Sequence, residues 1–299
     1  MIQATGARKC FGDIVAVDGI TAEIQTGSVY GLIGTNGAGR STFLRMMAGV
    51  LQCDAGDITV DGQPVWENPQ VKERIFFLSD EQYFLPNATP ETMKRFCARL
   101  YPRFSPVRFE TLLDSFALDK NRKIRTFSKG MKKQLSVICA LSAQTDYIFC
   151  DETFDGLDPV MRQAVKGLFA ADVAERELTP IIASHNLREL EDICDHVGLL
   201  HKGGILLSRD LDELKLGIHK LQAVFQRPPS EYELRELDIL SRESRGSLLS
   251  LVVRGQEEEI GRILAGLEPV FFEFLPLSLE EIFISETEVA GYDIRKILL

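Results

Sequence analysis

The segment GTNGAGRST, residues 34–42, decides the fold of this chain. It follows VYGLIG, residues 29–34, a continuous apolar run that predicts a buried strand. It opens STFLRMMAGVL, residues 41–51, where apolar residues recur with helical spacing. Glycines let the backbone curl so that successive N–H groups point inward, and the helix that follows adds the positive end of its dipole. A strand, a glycine loop and a helix in this order predict a site for a polyphosphate.

Arg40 is the one position at which this loop departs from the usual phosphate-loop pattern, which has lysine there. Arginine keeps the positive charge and can bind a phosphate through two donors, whereas lysine acts as a point charge. The backbone cradle does not depend on this side chain, so we expect nucleotide binding to persist. Hydrolysis needs a closer geometry, and a misplaced guanidinium would cost about 3–4 kcal/mol in the transition state.

The composition of the 299 residues narrows the class of protein. The net charge of -10 argues against non-specific binding to nucleic acid. No apolar run approaches the roughly 18 residues of a membrane span, and the first ten residues lack the apolar segment of a signal peptide. Six cysteines without a C-x-x-C pair are interpreted as small buried hydrophobes in a reducing compartment.

Further strands and helices predict an α/β fold with a mixed, largely parallel sheet. YIFCDE at 147–152 and PIIASH at 180–185 read as buried strands, and a helix between them starts at Asp158-Pro159. Asp61-Gly62 predicts a hairpin turn. Residues 86–145 lack strand-like runs and have helical periodicity, which predicts a helical insert.

The pattern changes after residue 215, which predicts two domains, 1–215 and a small α+β appendix at 216–299. In the appendix we expect strands and helices in alternation. The predicted strands are LQAVFQ, SLLSLVVRG and VFFEF, and the predicted helices are SEYELRELD (230–238), EEEIGRILAGL (257–267) and LEEIF (279–283). The appendix carries no residues with an evident chemical role.

The order of motifs along residues 1–215 resembles that of the ATP-binding cassette (ABC) ATPases. The phosphate loop is followed by FSKGM at 127–131, in the position of the family's LSGGQ signature, and then by the acidic pair Asp151-Glu152. FDGLDP at 154–159 resembles the D-loop, and His185 resembles the switch histidine. The resemblance implies a P-loop NTPase cassette with a helical subdomain at about 86–145.

The resemblance also implies a role for each matching residue. ATP would be bound by an aromatic residue, the phosphate loop and the signature: Phe11, Gly34, Thr35, Asn36, Gly37, Ala38, Gly39, Arg40, Ser41, Thr42, Ser128 and Gly130. Mg²⁺ would be held by Ser41, Asp151 and Asp80, and catalysis would use Glu152, His185 and Arg40. Ser128 and Gly130 would contact the γ-phosphate bound by a second copy of the chain, or by a related ATPase, in a head-to-tail dimer.

Two of these assignments have a plainer alternative, and three lysines near the signature can also be interpreted in two ways. Asp80 stands where the family has the Q-loop glutamine, but an acidic residue in LSDEQYFLP also suits a surface loop. Phe11 would stack on adenine or belong to the core. Lys129, Lys132 and Lys133 either add positive charge near the γ-phosphate or form a solvated helix face.

The function that the resemblance implies is that of the ATPase subunit of an ABC transporter, of the bacterial exporter type. A transmembrane permease on another chain would be its partner, and the chain would lie on the cytoplasmic face of the membrane. Arg40 favours a second hypothesis, an ATP-dependent dimerising module with little or no hydrolysis. A third, action on ribosomes or DNA, lacks support because the chain has neither a second cassette nor a basic face.

Overall fold

The computed structural model describes residues 1–227, 229–230 and 232–289, and of residues 286–289 it describes the backbone alone. The chain forms two compact units, Met1–Ser208 and a second unit that starts at Arg209. The sequence predicts the boundary between the two domains at residue 215, seven residues after the end of the first unit. The phosphate loop and all candidate site residues belong to the first unit.

An antiparallel sheet in the first unit has the strand order β2-β1-β4-β5. Its strands are β1 (Ile2–Phe11), β2 (Ile14–Ile24), β4 (Ala55–Val60) and β5 (Gln63–Pro64). Asp61 and Gly62 connect the last two with φ of 50° and 76°, so both turn residues are left-handed. The predicted hairpin is therefore confirmed. A turn with two left-handed residues is favoured in hairpins because its twist matches the right-handed twist of the strands.

A six-stranded sheet with the order β10-β9-β3-β8-β7-β6 carries the candidate site. Its strands are β3 (Tyr30–Gly34), β6 (Ile75–Leu78), β7 (Tyr147–Asp151), β8 (Thr179–Ala183), β9 (His196–His201) and β10 (Gly204–Asp210). The strands from β9 to β6 are parallel neighbours. Every residue of β3, β7 and β8 is buried, as the continuous apolar runs predict. Their carboxyl ends meet at one edge, where the loops carry the polar residues.

Helices cover this sheet and form the predicted helical insert. They are α1 (Arg40–Met47), α2 (Pro69–Lys72), α3 (Pro90–Leu100), α4 (Pro106–Ser115), α5 (Lys129–Ala143), α6 (Pro159–Arg176) and α7 (Leu187–Glu191), with a 3-10 turn at Ile124–Thr126. Asp158 caps α6 by accepting bonds from Val160 and Met161, as predicted.

Helix α1 ends earlier than the apolar spacing of the sequence predicts. Ala48 closes it and Gly49 follows with φ of 65°, a left-handed conformation that suits the end of a helix. Val50, which the spacing places on the buried face of the helix, therefore lies beyond it and is 51% exposed. The fully buried residues of the helix are Phe43, Leu44, Met46 and Met47.

The second unit contains an antiparallel sheet with the order β12-β13-β11-β14. Its elements are α8 (Leu211–Leu216), β11 (Ile218–Val224), β12 (Asp238–Arg245), β13 (Leu248–Arg254), α9 (Glu257–Gly266), β14 (Phe271–Leu275) and α10 (Leu279–Val289). The predicted helix at 230–238 is wrong, because residues 232–236 form turns and β12 begins at Asp238.

The interpretation of the cysteines as buried hydrophobes is confirmed for four of the six, and Cys10 and Cys53 are only partly buried. All six are free, and Cys97, Cys139, Cys150 and Cys194 are buried. Burial raises the pKa of Cys150 to about 12, so its thiol stays protonated. No helix within the described part of the chain is long and apolar enough to cross a membrane.

Candidate functional site

The phosphate loop lies between the buried strand β3 and helix α1. Gly37 and Gly39 have φ of 79° and 100°, so the chain turns through conformations that a side chain disfavours. Gly39 has a second constraint, because a Cβ atom there would lie 2.2 Å from the carbonyl oxygen of Ala16. The loop therefore requires glycine at position 39 to keep its conformation. Its backbone amides lie at the N-terminus of α1.

Ser41 and Asp151 bring two oxygen ligands together at the start of α1. The Ser41 hydroxyl donates to Asp151 Oδ1 over 2.8 Å, and Asp151 is 2% exposed. Arg45 approaches the second carboxylate oxygen at 3.4 Å. In an octahedral Mg²⁺ shell with bonds of about 2.0–2.1 Å, adjacent ligand oxygens lie about 2.9 Å apart. The donor set and its spacing therefore fit Mg²⁺.

Glu152 lies at the centre of a polar network at the end of β7. Its Oε1 accepts a hydrogen bond from the Arg40 guanidinium at 3.2 Å, and its Oε2 lies 2.8 Å from His185 Nδ1. The backbone N–H of His185 also donates to Oε2 over 3.3 Å. Each carboxylate oxygen of Glu152 is thus oriented by a residue that lies more than thirty positions away from Glu152 in the sequence.

Asp155 is a member of this network that the sequence analysis did not single out. Its Oδ2 lies 3.8 Å from His185 Nδ1, and one ligand atom from each of Glu152, Asp155 and His185 lies within 4.8 Å of the others. The sequence feature that could have indicated Asp155 is its position in FDGLDP, three residues after Glu152. The cluster places two carboxylates beside the His185 ring, and of these the Glu152 carboxylate lies within hydrogen-bond distance.

Arg40 is bound by the protein's own oxygen atoms. One guanidinium nitrogen donates to the carbonyl of Gly34 over 2.7 Å and to that of Ser184 over 2.9 Å, and the other pairs with Glu152. The side chain is 9% exposed. Burial lowers the pKa of Arg40 from its ordinary value, against the opposing effect of Glu152 and Asp151. Any contact of this guanidinium with a phosphate competes with its bond to Glu152.

Asp80 contacts a lysine rather than the Ser41-Asp151 pair. Its Oδ1 lies 3.3 Å from the ammonium of Lys133, which is 1% exposed. The Gln82 side chain, the nearby glutamine of the sequence, donates to the carbonyl oxygens of Ser79 and Asp80. A solvated helix face is therefore the wrong interpretation for Lys133, although Lys129 of the same segment is exposed.

Three residues predicted to contact ATP form no hydrogen bond or ion pair with the Glu152 network in the described part of the chain. Ser128 is exposed and caps α5, where its Oγ accepts from the N–H of Met131 over 3.2 Å. Gly130 lies in the first turn of the same helix. Phe11 ends β1 and is 49% exposed, so the alternative of a core phenylalanine is wrong. All three are placed where a ligand or a second chain can reach them.

Comparison with known proteins identifies the family. The family model described as "ABC transporter" matches residues 17–155. The ABC transporter ATP-binding protein YtrB of Bacillus subtilis is 31% identical over 286 residues, which are 96% of this chain and 98% of YtrB. The chain belongs to the ABC transporter ATP-binding proteins. The resemblance in the order of its motifs is thereby confirmed.

Further relatives agree with the ABC assignment. The bacitracin transport ATP-binding protein BcrA of Bacillus licheniformis is 30% identical and covers 72% of this chain and 71% of its own length. A solved ATP-binding subunit of an ABC transporter superposes with a TM-score of 0.67 at 24% identity, over 72% of this chain and 92% of that one. The ABC cassette MJ0796 with ADP and Pi superposes with a TM-score of 0.64 at 18% identity, over 71% and 99%.

Membership of this family establishes the general activity of the chain. The chain is an ATPase of the ABC type, which binds ATP and serves as the ATP-hydrolysing subunit of a transporter. The predicted P-loop cassette with a mixed sheet and a helical insert is confirmed by the architecture and by the solved relatives.

Proposed function

We propose that this ABC ATPase drives a separate membrane permease that exports its substrate. The observation that carries the proposal is the direct contact of Glu152 with both Arg40 and His185 at the edge of the sheet, beside the Ser41-Asp151 pair. Relatives named for bacitracin transport and linearmycin resistance support export. The chain would act at the cytoplasmic face of the membrane.

ATP would be bound along the phosphate loop. The amides of residues 34–42 cradle the phosphates, and the exposed ring of Phe11 provides a surface for adenine. Mg²⁺ held by Ser41 and Asp151 would neutralise charge on the β- and γ-phosphates, and Asp80 remains a further candidate ligand. Glu152 accepts a proton from the attacking water, and His185 fixes the direction of its carboxylate.

A second copy of the chain would complete the site, or a related ATPase would do so. Ser128 and Gly130 begin α5, a helix of 15 residues whose N-terminal dipole favours an anion. Because Ser128 is exposed, it can face a γ-phosphate bound by another subunit. The solved cassette MJ0796, described as dimeric, supports the pairing of two such subunits.

Ser128→Arg should abolish ATP-dependent dimerisation, because a long cation would occupy the space in which the helix tip meets the partner's nucleotide. The measurement is light scattering with and without ATP, in a Glu152→Gln background that retains nucleotide. Ser115→Arg, an exposed serine near the end of α4, is the matched control and should dimerise normally. Equal dimerisation of the two variants would refute the shared site.

Arg40→Lys should raise ATP turnover at least tenfold. Lysine lacks the planar fork that binds Gly34, Ser184 and Glu152 together, so Glu152 would be released for a water molecule. The measurement is phosphate release at saturating ATP. Arg95→Lys makes the same exchange at a side chain that is 75% exposed and should leave turnover unchanged.

An unchanged rate in Arg40→Lys would show that arginine is no handicap to hydrolysis. It would also remove the support for the second candidate function, a dimerising module with little hydrolysis, which the bond between Arg40 and Glu152 favours. ATP-induced dimers with background turnover in the natural chain, restored by Arg40→Lys, would instead establish that second function.

The transporter assignment is tested by purification from detergent-solubilised membranes. A tagged chain carrying Glu152→Gln, held with ATP, should retain a multi-span membrane protein, and Ser128→Arg in the same background should alter its recovery. Retention of ribosomes that is lost at high salt, with no membrane protein recovered, would overturn the proposal in favour of a cytosolic role.

A further inference from the structure

Lys133 is a charged side chain in a position where solvent cannot reach it. It is 1% exposed, and it lies five residues after Ser128 in helix α5. Removing an ammonium from water is costly unless hydrogen-bond acceptors replace the water. Its ammonium donates to the backbone carbonyl of Glu152 over 2.6 Å and to Asp80 Oδ1 over 3.3 Å. The acceptors that make its burial tolerable thus belong to two other motifs of the site.

The backbone of Glu152 is in a conformation that a glutamate rarely adopts. Its φ is 49°, in the left-handed region that costs energy for any residue with a side chain. Three hydrogen bonds hold its backbone: its N–H donates to the carbonyl of Ala183 over 3.0 Å, and its own carbonyl accepts from Lys133 over 2.6 Å and from the N–H of Asp155 over 3.4 Å. Residues in such conformations persist where their surroundings over-determine them, and they concentrate at active sites.

The same backbone conformation directs the Glu152 carboxylate. With the main chain fixed between β8 and α5, the side chain reaches His185 Nδ1 at 2.8 Å and Arg40 at 3.2 Å. Loss of the Lys133 bond would leave the carbonyl of Glu152 with only the longer bond, that from the N–H of Asp155. The chain could then return to an ordinary conformation, and the carboxylate would point elsewhere.

We propose that Lys133 is a positioning residue for hydrolysis, which holds Glu152 in its left-handed conformation and ties it to Asp80 at the end of β6. This inference rests on the proposed role of Glu152 as the base. It assigns a function to a buried lysine whose ammonium acts through Glu152. Helix α5, the residue that follows β7 and the segment after β6 are thereby joined through one ammonium group.

Lys133→Met tests the proposal, because methionine matches the lysine side chain as far as Cε, suits a buried position and lacks the ammonium. We expect kcat to fall about tenfold, with KM for ATP unchanged within twofold. In a crystal structure of the variant, Glu152 should leave the left-handed region and its contact with His185 should lengthen. Retention of both features would overturn the proposal, whatever the activity.

Lys166→Met is the matched control, because Lys166 is also buried and pairs with a more exposed carboxylate, that of Asp192, at 3.0 Å. Its loss should lower the unfolding temperature and leave kcat unchanged within twofold. An equal fall of kcat in both variants would show that loss of any buried ammonium suffices, and would contradict a specific role for Lys133.

A double variant separates this inference from the proposed function. If Lys133 acts through Glu152, Lys133→Met should reduce turnover less than twofold further when Glu152→Gln is already present. An undiminished tenfold effect there would overturn the positioning role. Normal turnover of Glu152→Gln alone would instead refute Glu152 as base, and the geometry of Glu152 in the Lys133→Met structure would still decide whether Lys133 holds it.

Asp80→Asn keeps the experiment decisive if Lys133→Met does not fold. Asp80 has a side chain that is 49% exposed, so this variant should remain stable. It weakens one of the two anchors of the ammonium, and we expect a twofold to fourfold fall in kcat that is likewise absent in the Glu152→Gln background. A fall of equal size in both backgrounds would contradict the proposal.

Discussion

Glu152→Gln should reduce ATP turnover by about 10²–10⁴-fold, the range that general-base catalysis contributes. Glutamine has the shape of glutamate and can still accept a hydrogen bond from the backbone N–H of His185, which bonds Oε2 at 3.3 Å. It cannot accept the proton of an attacking water. The phosphate loop and the Ser41-Asp151 pair are unchanged, so ATP should bind as before and ATP-bound dimers should accumulate.

The measurement is phosphate release at saturating ATP, combined with light scattering for the dimer. Glu110→Gln is the appropriate control, since it makes the same exchange at a side chain of α4 that is 57% exposed and pairs with Lys94. Its turnover should stay within about threefold of that of the natural chain. Normal hydrolysis by Glu152→Gln would mean that another group takes the proton.

Gly39→Ala should destabilise the first unit by about 2–5 kcal/mol and abolish ATP binding. The left-handed φ of 100° costs an alanine about 1–2 kcal/mol. A further cost of about 1–3 kcal/mol arises because the new methyl group would lie 2.2 Å from the Ala16 carbonyl, so strand β2 or the loop must shift. A shifted loop no longer directs its amides at the phosphates.

Gly37→Ala provides a control in the same loop. Its φ of 79° carries a similar backbone cost, but a Cβ atom there would meet no heavy atom within 4 Å. We expect a loss of about 1–2 kcal/mol only. Thermal unfolding without nucleotide measures the difference between the two variants, and nucleotide binding is measured separately by titration. Equal destabilisation would show that the contact with Ala16 is relieved at no cost.

Local patterns of the sequence predicted much of the first unit. The strand before the phosphate loop, the turn at Asp61-Gly62 and the cap at Asp158 each depend on a few neighbouring residues, and each is present in the structure. The burial of β7 and β8 followed from their continuous apolar runs in the same way. In these places local preference and tertiary packing favour the same conformation.

The segment before β12 shows where local patterns fail. Leu234 and Leu237 have the spacing of a helix and are both buried in the second unit, but the chain between them forms turns. Strand β12 itself is largely polar, and its pairing with β13 along seven registered positions is a long-range property. Spacing indicates which residues are buried, and the pairing partner decides the backbone conformation that buries them.

The sequence by itself determined the family, the order of the motifs and the strand ends at which the polar residues stand, because each of these depends on residues close together in the chain. Only the tertiary structure decided which of those residues touch. Glu152 meets Arg40 from 112 positions away, and Lys133 bonds it from 19 positions away while reaching Asp80 across 53. A lysine on a helix is ordinarily solvated, and it became part of the site because the packing of α5 removed water and offered two oxygen atoms in exchange.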